Sequence, residues 1–572
     1  MWRSDLPPTP ADATRPGDTP RSERPLVVQS DGTLLLEVGG AQAEEARNAL
    51  CAFAQIEKSP EYIHTYRLTA LSLWNAASAG VRLPDILGAL SRFSRYPVPD
   101  LVERNIRDQF DRFGQVVMVP RDEEFLLLRV YDSRIRLELQ GAREMREHIQ
   151  EATPEGFLVP VGRRGAVKQA LVRLAYPPED LCGYMEGVPL SLALRATSRG
   201  GAPFGLRRYQ QEAVDAFHHG GGPQGGAGVI VLPCGAGKTV IGLGVMSRLR
   251  TSTLILCTNT VAVHQWRDEL LDKTDLAPNQ IGEYTGDRKE IRPITLTTYQ
   301  ILTHRAAREE EFRHLELMRR NQWGLIIYDE VHTLPAPVFR ATAEIQVRRR
   351  LGLTATLIRE DGREGDVFAL IGPKKYELPW KFLEQKGYIA EAGCFEIRVA
   401  LPEALHVPYA LGSKRAKYRL AAENPRKIEI VEELIENNPD DAILVIGQYV
   451  DQLERIAGDL GFPLITGKTP NARRERLYQE FRQGRQRVLV VSKVANFAID
   501  LPDASMAIEI SGAFGSRQEE AQRLGRILRP KARSSRFYAV VSRDTVEQEF
   551  GHRRQLFLVE QGYRYRIIDW DA

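Results

Sequence analysis

Short apolar runs recur from about residue 228 onward and alternate with amphipathic stretches such as Val261–Leu271. Runs rich in Val, Ile and Leu are typical of strands buried on both faces of a parallel sheet. The strand–helix alternation therefore predicts an α/β fold with two tandem parallel-sheet domains. The predicted strands are Val229–Leu232, Thr253–Cys257, Ile294–Thr298, Leu325–Tyr328 and Leu351–Thr354 in the first domain, and Ile443–Ile446, Val488–Val491, Ala507–Ile510 and Phe537–Val541 in the second.

The N-terminal part of the chain has a different pattern. Residues 1–24 are rich in Pro, Arg, Asp and Thr, which predicts a disordered tail. Two amphipathic segments, Leu68–Ala79 and Pro84–Phe93, precede two β-like runs, Gln115–Val119 and Phe125–Val130. This order predicts a small mixed α/β or winged-helix-like region. Such modules bind DNA or pack against proteins, and the pattern leaves both functions open.

These patterns predict four ordered regions after the tail: a winged-helix-like domain over 25–157, a small domain over 158–203, and parallel-sheet domains over 204–378 and 379–572. The last contains a Lys/Arg-bearing insert at about 401–424. The small domain carries Arg163, Arg164, Lys168 and Arg173 on a helical stretch. They contact a phosphate backbone or form a solvated helix face, and the sequence leaves both interpretations open.

Composition limits the classes of protein to which the chain belongs. With 572 residues, 43% hydrophobic and 27% charged, it is typical of a multidomain soluble protein. The net charge of +3 excludes a histone-like polycation but not a nucleic-acid-binding protein. Five scattered cysteines with no C-x-x-C pair favour neither a zinc site nor a disulfide framework, and we expect a reducing cytoplasm. The N-terminus has no apolar signal-peptide segment.

A Gly-rich loop follows the first predicted strand and leads into the helical stretch Val240–Leu249. Strand, Gly-rich loop and helix in this order form a phosphate site, because backbone N–H groups at a helix N-terminus bind anions. Lys238 would neutralise the β- and γ-phosphates, and the Thr239 hydroxyl would ligate Mg²⁺. Leu232 replaces the first Gly of the strict pattern, and an ordinary strand–helix crossover is the alternative. Lys238 and Pro233 argue against a membrane span here. The nucleotide-binding loop comprises Pro233, Cys234, Gly235, Ala236, Gly237, Lys238 and Thr239.

Two acidic residues, Asp329 and Glu330, follow the predicted strand Leu325–Tyr328. Open parallel sheets bind ligands at the carboxyl ends of their strands, so Asp329 there can hold Mg²⁺. Glu330 can orient or deprotonate an attacking water.

A predicted helix, Ser516–Arg529, carries Gln522, Arg526 and Arg529 on one side. Two guanidinium groups from a second domain could act as arginine fingers that stabilise transition-state charge at the γ-phosphate. Taken alone, the same residues also fit a surface helix.

Together the motifs resemble superfamily 2 helicases, and within them the XPB repair and transcription helicases. The Arg-Glu-Asp triplet that follows Thr-Ala-Thr points to XPB in particular. The resemblance is carried by Leu206-Arg-Arg-Tyr-Gln210, Leu-Pro-Cys-Gly-Ala-Gly-Lys-Thr239, Asp329-Glu-Val-His332, Leu353-Thr-Ala-Thr356, Arg359-Glu-Asp361, Ser492-Lys493 through Asp500-Leu-Pro502, and Gln522-Arg-Leu-Gly-Arg-Ile-Leu-Arg529.

This resemblance implies two RecA-like domains and an ATP-dependent 3′–5′ DNA helicase or translocase in nucleotide excision repair. Its cofactors would be ATP and Mg²⁺, and its substrate single-stranded, forked or bubble DNA. A nuclease or another repair protein would be its partner. The alternatives are a DNA-dependent ATPase that opens DNA with a partner without processive unwinding, and a non-catalytic DNA-binding scaffold.

The resemblance also implies roles for individual residues. Arg207 and Gln210 would read adenine, and Asp500 would contact ribose or support the arginine helix. Residues 401–424 would form a thumb that grips DNA, and 158–203 a damage-recognition domain. The residues implied in coupling, strand separation or nucleic-acid contact are Thr354, Thr356, Arg359, Glu360, Asp361, Ser492 and Lys493. By contrast, Gly467-Lys468-Thr469 imitates a phosphate loop, but Pro470 then starts a helix, so we interpret it as a structural turn.

Overall fold

In the part of the chain that the structure describes, four β-sheets organise the fold, and two of them are parallel, as the apolar runs predict, with seven strands each. The structure is a computed structural model. The chain divides into two compact units, Met1–Arg112 and Phe113–Ala572. The structure describes residues 20–570 except 41, 59–61, 79, 123, 182–186, 222–225, 234, 303–313, 315–317, 319–320, 334–341, 343–344, 346, 348, 356–366, 368–369, 373, 493–503, 513–523 and 525–533, with the backbone alone at 471 and 557.

The first unit contains an antiparallel four-stranded sheet of order β1-β2-β4-β3. Its first hairpin turns at Gly32, whose φ of 82° lies in the left-handed region that glycine adopts without strain. Apolar helix positions such as Leu73 and Leu90 are buried in one core with the sheet. Its elements are β1 (Leu26–Val28), β2 (Thr33–Glu37), α1 (Ala43–Leu50), β3 (Gln55–Lys58), β4 (Ile63–Arg67), α2 (Ala70–Ser78), α3 (Leu83–Phe93) and α4 (Asp100–Arg112).

The second unit begins with a five-stranded sheet of order β7-β8-β6-β5-β9. This sheet crosses the boundary expected at 157/158, because β8 itself spans that boundary and β5 pairs with β9 beyond it. Its elements are β5 (Val116–Pro120), β6 (Phe125–Val130), α5 (Ser133–Gly141), α6 (Arg143–Arg146), β7 (Glu151–Thr153), β8 (Gly156–Pro160), α7 (Arg164–Arg173) and β9 (Glu179–Asp180).

The residues expected to form one winged-helix-like module are divided between the two units. Helices α2 and α3 contribute to the core of the first unit, whereas β5 and β6 pair within the sheet of the second. The physical reason is that the apolar helix faces are covered by their own sheet, and the two β-runs find additional partners in β8 and β9.

Two of the four basic residues, Arg164 and Lys168, differ from both expectations, whereas Arg163 and Arg173 are exposed. Arg164 is only 7% exposed, and its guanidinium donates two hydrogen bonds to Asp180, at 2.6 and 3.0 Å. Lys168 donates to the same carboxylate at 3.1 Å. Burial by itself would raise the pKa of Asp180, but Lys168 and Arg164 hold it well below its ordinary value. These two cations therefore fasten α7 to β9 inside the small domain.

The first parallel sheet has the order β12-β13-β11-β14-β15-β10-β16. Strands β10 and β14 both border β15, so their carboxyl ends lie close together at one edge of the sheet. Its elements are α8 (Arg208–His218), β10 (Ala227–Val231), α9 (Lys238–Leu249), β11 (Thr253–Cys257), α10 (Thr260–Lys273), β12 (Ile281–Tyr284), β13 (Ile294–Thr298), α11 (Tyr299–Leu302), β14 (Leu325–Asp329), β15 (Arg349–Thr354) and β16 (Lys374–Glu377).

The second parallel sheet has the order β19-β20-β18-β21-β22-β17-β23. Its elements are α12 (Trp380–Gln385), β17 (Ala392–Val399), α13 (Glu403–Leu411), α14 (Lys414–Ala422), α15 (Arg426–Glu436), β18 (Ile443–Gly447), α16 (Val450–Leu460), β19 (Leu464–Ile465), α17 (Asn471–Arg482), β20 (Val488–Ser492), β21 (Met506–Glu509), β22 (Ser535–Ser542), α18 (Val546–Glu560) and β23 (Tyr565–Trp570).

The insert at 401–424 forms helices α13 and α14. Tyr418 of α14 is buried and its hydroxyl donates to the carbonyl of Gly512, whereas Leu411 at the end of α13 is 83% exposed. A role for the insert in gripping DNA stays a prediction.

The second glycine-lysine-threonine sequence is a turn, as expected. Thr469 N donates to the carbonyl of Thr466, its hydroxyl accepts from Thr466 N, and α17 begins after Pro470. No helix among the described residues is long and apolar enough to cross a membrane.

Candidate nucleotide-binding site

The loop between β10 and α9 has the backbone shape that its glycines predict. Gly235 and Gly237 have φ angles of 81° and 76°, in the left-handed region that side chains with a Cβ rarely adopt. The carbonyl of Pro233 accepts from Ala236 N at 3.2 Å, which closes a tight turn. Helix α9 then begins at Lys238, and the N–H groups of its first turn can bind an anion. Cys234 lies outside the described residues.

The loop lysine and the second residue of the acidic pair lie close together. Nζ of Lys238 lies 3.5 Å from Oε1 of Glu330, and both side chains are largely enclosed. Glu330 has a φ of 48°, an uncommon conformation for a residue with a Cβ. Backbone strain of this kind concentrates at functional sites. The fold thus places a fixed cation beside a constrained carboxylate at the end of β14.

Asp329 is held by two residues that the sequence reasoning did not assign to the site. Nε1 of Trp266 donates to Oδ2 of Asp329 at 3.0 Å, and the Tyr299 hydroxyl donates to its backbone carbonyl at 2.7 Å. Burial, together with the neighbouring Glu330 charge, raises the pKa of Asp329 to about 6, while Trp266 and Lys238 act in the opposite direction. The sequence offered one sign of the Trp266 contact: the indole N–H of a buried tryptophan needs a hydrogen-bond partner.

Thr354 connects the acidic strand with the phosphate loop. Its hydroxyl lies 2.5 Å from Nδ1 of His332, and its backbone carbonyl accepts from Leu232 N at 3.0 Å. His332 Nδ1 is in turn 3.4 Å from Oε2 of Glu330. A shift at Glu330 can therefore reach β15 and the loop through direct contacts. His332 was part of a predicted motif, but its contact with Thr354 was not foreseen.

The residues expected to read adenine contact the protein itself in this structure. Gln210 is 4% exposed; its Oε1 accepts from Arg207 N at 2.9 Å, and its Nε2 donates to the carbonyl of Ala236 at 3.1 Å. The Arg207 guanidinium donates to the carbonyl of Tyr388 at 3.1 Å. Adenine reading by Gln210 stays a prediction, and it requires both amide hydrogen bonds to exchange for bonds to the base.

Comparison with known proteins places this site in a family. Family models match the chain as ERCC3/RAD25/XPB C-terminal helicase over residues 383–571, as Type III restriction enzyme, res subunit, over 203–359, and as Helicase conserved C-terminal domain over 26–153. The chain is 51% identical to the DNA 3′-5′ helicase XPB of Kineococcus radiotolerans, over 96% of this chain and 97% of that protein. It belongs to the XPB family of superfamily 2 helicases.

Other XPB relatives are bacterial and eukaryotic. The DNA 3′-5′ helicase XPB of Mycobacterium tuberculosis is 48% identical over 96% of this chain and 98% of that protein. The general transcription and DNA repair factor IIH helicase/translocase subunit XPB of Encephalitozoon cuniculi is 34% identical over 95% of this chain and 82% of that protein. The predicted XPB membership and the two-domain helicase fold are confirmed.

Several residues that the XPB resemblance singles out lie outside the described part of the chain. Ser492 is described: it ends β20 and is 3% exposed. The roles assigned to all of these residues stay predictions. Those outside the described residues are Thr356, Arg359, Glu360, Asp361, Lys493, Asp500, Gln522, Arg526 and Arg529.

The donor set fits the magnesium ion that an XPB ATPase would use. Thr239 lies in the first turn of α9 and Asp329 at the end of β14, and both supply oxygen. Mg²⁺ prefers oxygen ligands and is usually held by one or two side chains, with phosphates and water completing its shell. The two residues therefore suit a metal that arrives with a nucleotide.

Proposed function

We propose that the protein is an ATP-dependent DNA helicase or translocase that moves 3′ to 5′ and acts in DNA repair. The observation that carries the proposal is the meeting of Lys238 and Glu330 at 3.5 Å, on a fold shared with relatives named DNA 3′-5′ helicase. A non-catalytic scaffold has no need of a largely enclosed lysine beside a strained carboxylate.

The contacts of the site suggest how each residue acts. Nucleotide phosphates would pair with Lys238 and the N-terminus of α9, which would release Glu330 from its ion pair to orient the attacking water. Thr239 and Asp329 would hold Mg²⁺, which supplies charge neutralisation at the β- and γ-phosphates. Movement of Glu330 would reach β15 through His332 and Thr354.

DNA binding is proposed to rest mainly on phosphate contacts, so it should weaken with salt and show little sequence preference. We propose a cytoplasmic location, which suits a chain whose five cysteines are scattered and form no C-x-x-C pair. A nuclease or another repair protein is the proposed partner class.

Lys238→Ala tests the assignment of the ATP site. We expect DNA-stimulated ATP hydrolysis to fall by at least about 100-fold, because the cation at the phosphates is lost. Salt-sensitive DNA binding should persist. ATP turnover is measured with and without single-stranded DNA, and strand displacement on duplexes with 3′ or 5′ overhangs. Lys468→Ala, in the exposed turn with the same Gly-Lys-Thr sequence, is the matched control and should keep full activity.

Two results would change the proposal. Retained ATPase in Lys238→Ala would refute the site assignment. ATP turnover by the unaltered protein without displacement of either substrate would favour local DNA opening instead, consistent with the word translocase in the names of the eukaryotic relatives.

A further inference from the structure

Trp266 lies on α10, outside every motif that carries the helicase resemblance, yet it contacts the acidic pair of the site. Its indole Nε1 donates to Oδ2 of Asp329 at 3.0 Å, and the side chain is 1% exposed. A hydrogen bond from a neutral donor to a carboxylate is stronger than one between neutral groups. A buried indole N–H needs a hydrogen-bond partner, but a neutral carbonyl would satisfy it as well as a carboxylate.

Packing fixes the orientation of the indole. A Cβ built on Gly242 of α9 would lie 2.5 Å from Cη2 of Trp266 and 3.6 Å from Cδ1 of Ile327 on β14. The ring is therefore wedged between the helix that follows the phosphate loop and the strand that ends at Asp329. Asn259 caps α10 through a 3.0 Å bond from Ala262 N, which anchors the helix that carries the indole.

This arrangement restrains the carboxylate. A carboxylate that accepts a bond through one oxygen from a fixed donor cannot rotate freely, so its second oxygen keeps one orientation. A metal ligand that is already oriented loses less conformational entropy when the metal binds. Because the Trp266 ring packs against α9, which bears Thr239, and bonds to Asp329, it also links the position of that helix to the position of the carboxylate.

We propose that Trp266 is a positioning residue for magnesium: it holds Asp329 in the orientation that receives the Mg²⁺ of a bound nucleotide, in register with Thr239. This inference rests on the proposed function, since only a nucleotide site gives Asp329 a metal to bind. It concerns metal affinity rather than nucleotide recognition or DNA binding.

Trp266→Phe removes the N–H and keeps an aromatic ring. Isothermal titration calorimetry with ADP is carried out in EDTA and at a series of free Mg²⁺ concentrations. We expect the affinity for ADP in EDTA to stay within about twofold of the unaltered protein. The Mg²⁺ concentration that gives half of the maximal enhancement of ADP binding should rise about tenfold, because one hydrogen bond to a charged group is lost. Saturating Mg²⁺ should restore most of the ATPase activity, which a purely structural loss would not allow.

Trp323→Phe is the matched control. Trp323 is 2% exposed in the other core cluster of the same sheet, and its Nε1 donates to the carbonyl of Met318 at 2.9 Å. Its replacement removes an equivalent buried indole N–H, and the Mg²⁺ requirement should stay unchanged. If Trp266→Phe fails to fold, 3-benzothienylalanine at position 266 keeps the shape of indole without its donor and should give the same tenfold shift.

The outcomes separate this inference from the proposed function. An unchanged Mg²⁺ requirement in a folded Trp266 variant, while the unaltered protein shows clear Mg²⁺-dependent binding, would overturn the inference alone and leave Trp266 as a core residue. Absence of Mg²⁺-dependent nucleotide binding in the unaltered protein would overturn the proposed function as well.

Discussion

Two residues of the candidate nucleotide site are in unfavourable environments: burial disfavours the charge of Asp329, and Glu330 has an uncommon backbone conformation. Asp329 is enclosed beside the Glu330 carboxylate, and its pKa is raised from the ordinary 3.8 to about 6, chiefly by burial. Glu330 adopts a left-handed backbone conformation. Both features destabilise the folded protein, and proteins retain such features where function requires them.

The raised pKa of Asp329 predicts a pH-dependent effect of Asp329→Asn. The folded protein binds more protons than the unfolded chain between about pH 4 and 6, so the stability contributed by this group falls as the pH rises through that window. Removing the charge should stabilise the protein at pH 7.5 by about 1–3 kcal/mol, since one pKa unit corresponds to about 1.4 kcal/mol. Near pH 4 the gain should vanish. Calorimetric Tm values without nucleotide or Mg²⁺ measure both effects.

Exposed Asp440 offers the control for this measurement. Asp440→Asn should change Tm equally little at both pH values. An equal Tm gain for Asp329→Asn at pH 4 and pH 7.5 would contradict the assignment of the effect to this ionisation.

Helix packing around the phosphate loop depends on glycine at positions where helices usually avoid it. Gly242 and Gly244 lie inside α9, and glycine within a helix costs about 1 kcal/mol relative to alanine. A Cβ at Gly242 would lie 2.5 Å from Trp266, and one at Gly244 would lie 2.8 Å from Val214 of α8. The close approach of α8 and α10 to α9 explains why the loss of helix propensity is tolerated.

Gly242→Ala is therefore predicted to destabilise the protein despite its better helix propensity. Forcing a methyl group into this contact should lower stability by about 1–3 kcal/mol, since overpacking displaces Trp266. Gly458→Ala is the control: Gly458 lies in α16 with no heavy atom within 4 Å of a built Cβ, and the change should stabilise by about 0.5–1 kcal/mol. Differential scanning calorimetry of both variants decides the point, and a gain in both would refute the packing argument.

The two compact units of the chain have separate cores. The first unit buries its own set of apolar residues, among them Leu26, Leu34, Leu73 and Leu90, between its sheet and helices. Trp74 Nε1 donates to the carbonyl of Gln109 at 3.1 Å, which fastens α2 to α4 within that unit. A core and hydrogen bonds of its own are what an independently folding domain requires.

Residues 20–112 are accordingly predicted to fold in isolation. The fragment should show one cooperative urea transition followed by the fluorescence of Trp74, its one tryptophan. Leu90→Ala, at a fully buried position, should destabilise it by about 2–5 kcal/mol, whereas Leu101→Ala, at a side chain that is 65% exposed, should have little effect. A fragment with no cooperative transition would show that the unit depends on the rest of the chain.

Local pattern was enough to predict the strands at the centre of both parallel sheets. Thr253–Cys257 and Ile294–Thr298 were predicted with the bounds that the structure gives. A strand covered on both faces is rich in apolar and β-branched residues, as both of these are, so its sequence identifies it without knowledge of its neighbours. The phosphate loop was equally readable, because the positive φ angles at Gly235 and Gly237 require glycine.

The strands at the sheet edges were not predicted, and the reason is also physical. Strands β12, β19 and β23 lie at sheet edges and have two to six residues, with polar positions in β12 and β23. Their strand conformation comes from pairing with a neighbour rather than from their own pattern. The division of α2 and α3 from β5 and β6 likewise depends on which sheet covers each apolar face.

What the sequence determined by itself was therefore the set of elements whose burial is nearly complete, together with the chemistry of the loop and the acidic pair. The tertiary structure decided which side chains meet across the chain. Trp266 and Asp329 are 63 positions apart, and Arg164 at the start of α7 meets Asp180, 16 positions further along the chain. Such contacts depend on how helices and strands pack. Hydrophobic periodicity specifies which face of a helix or strand is buried, but it does not specify which polar atoms of other elements lie against that face.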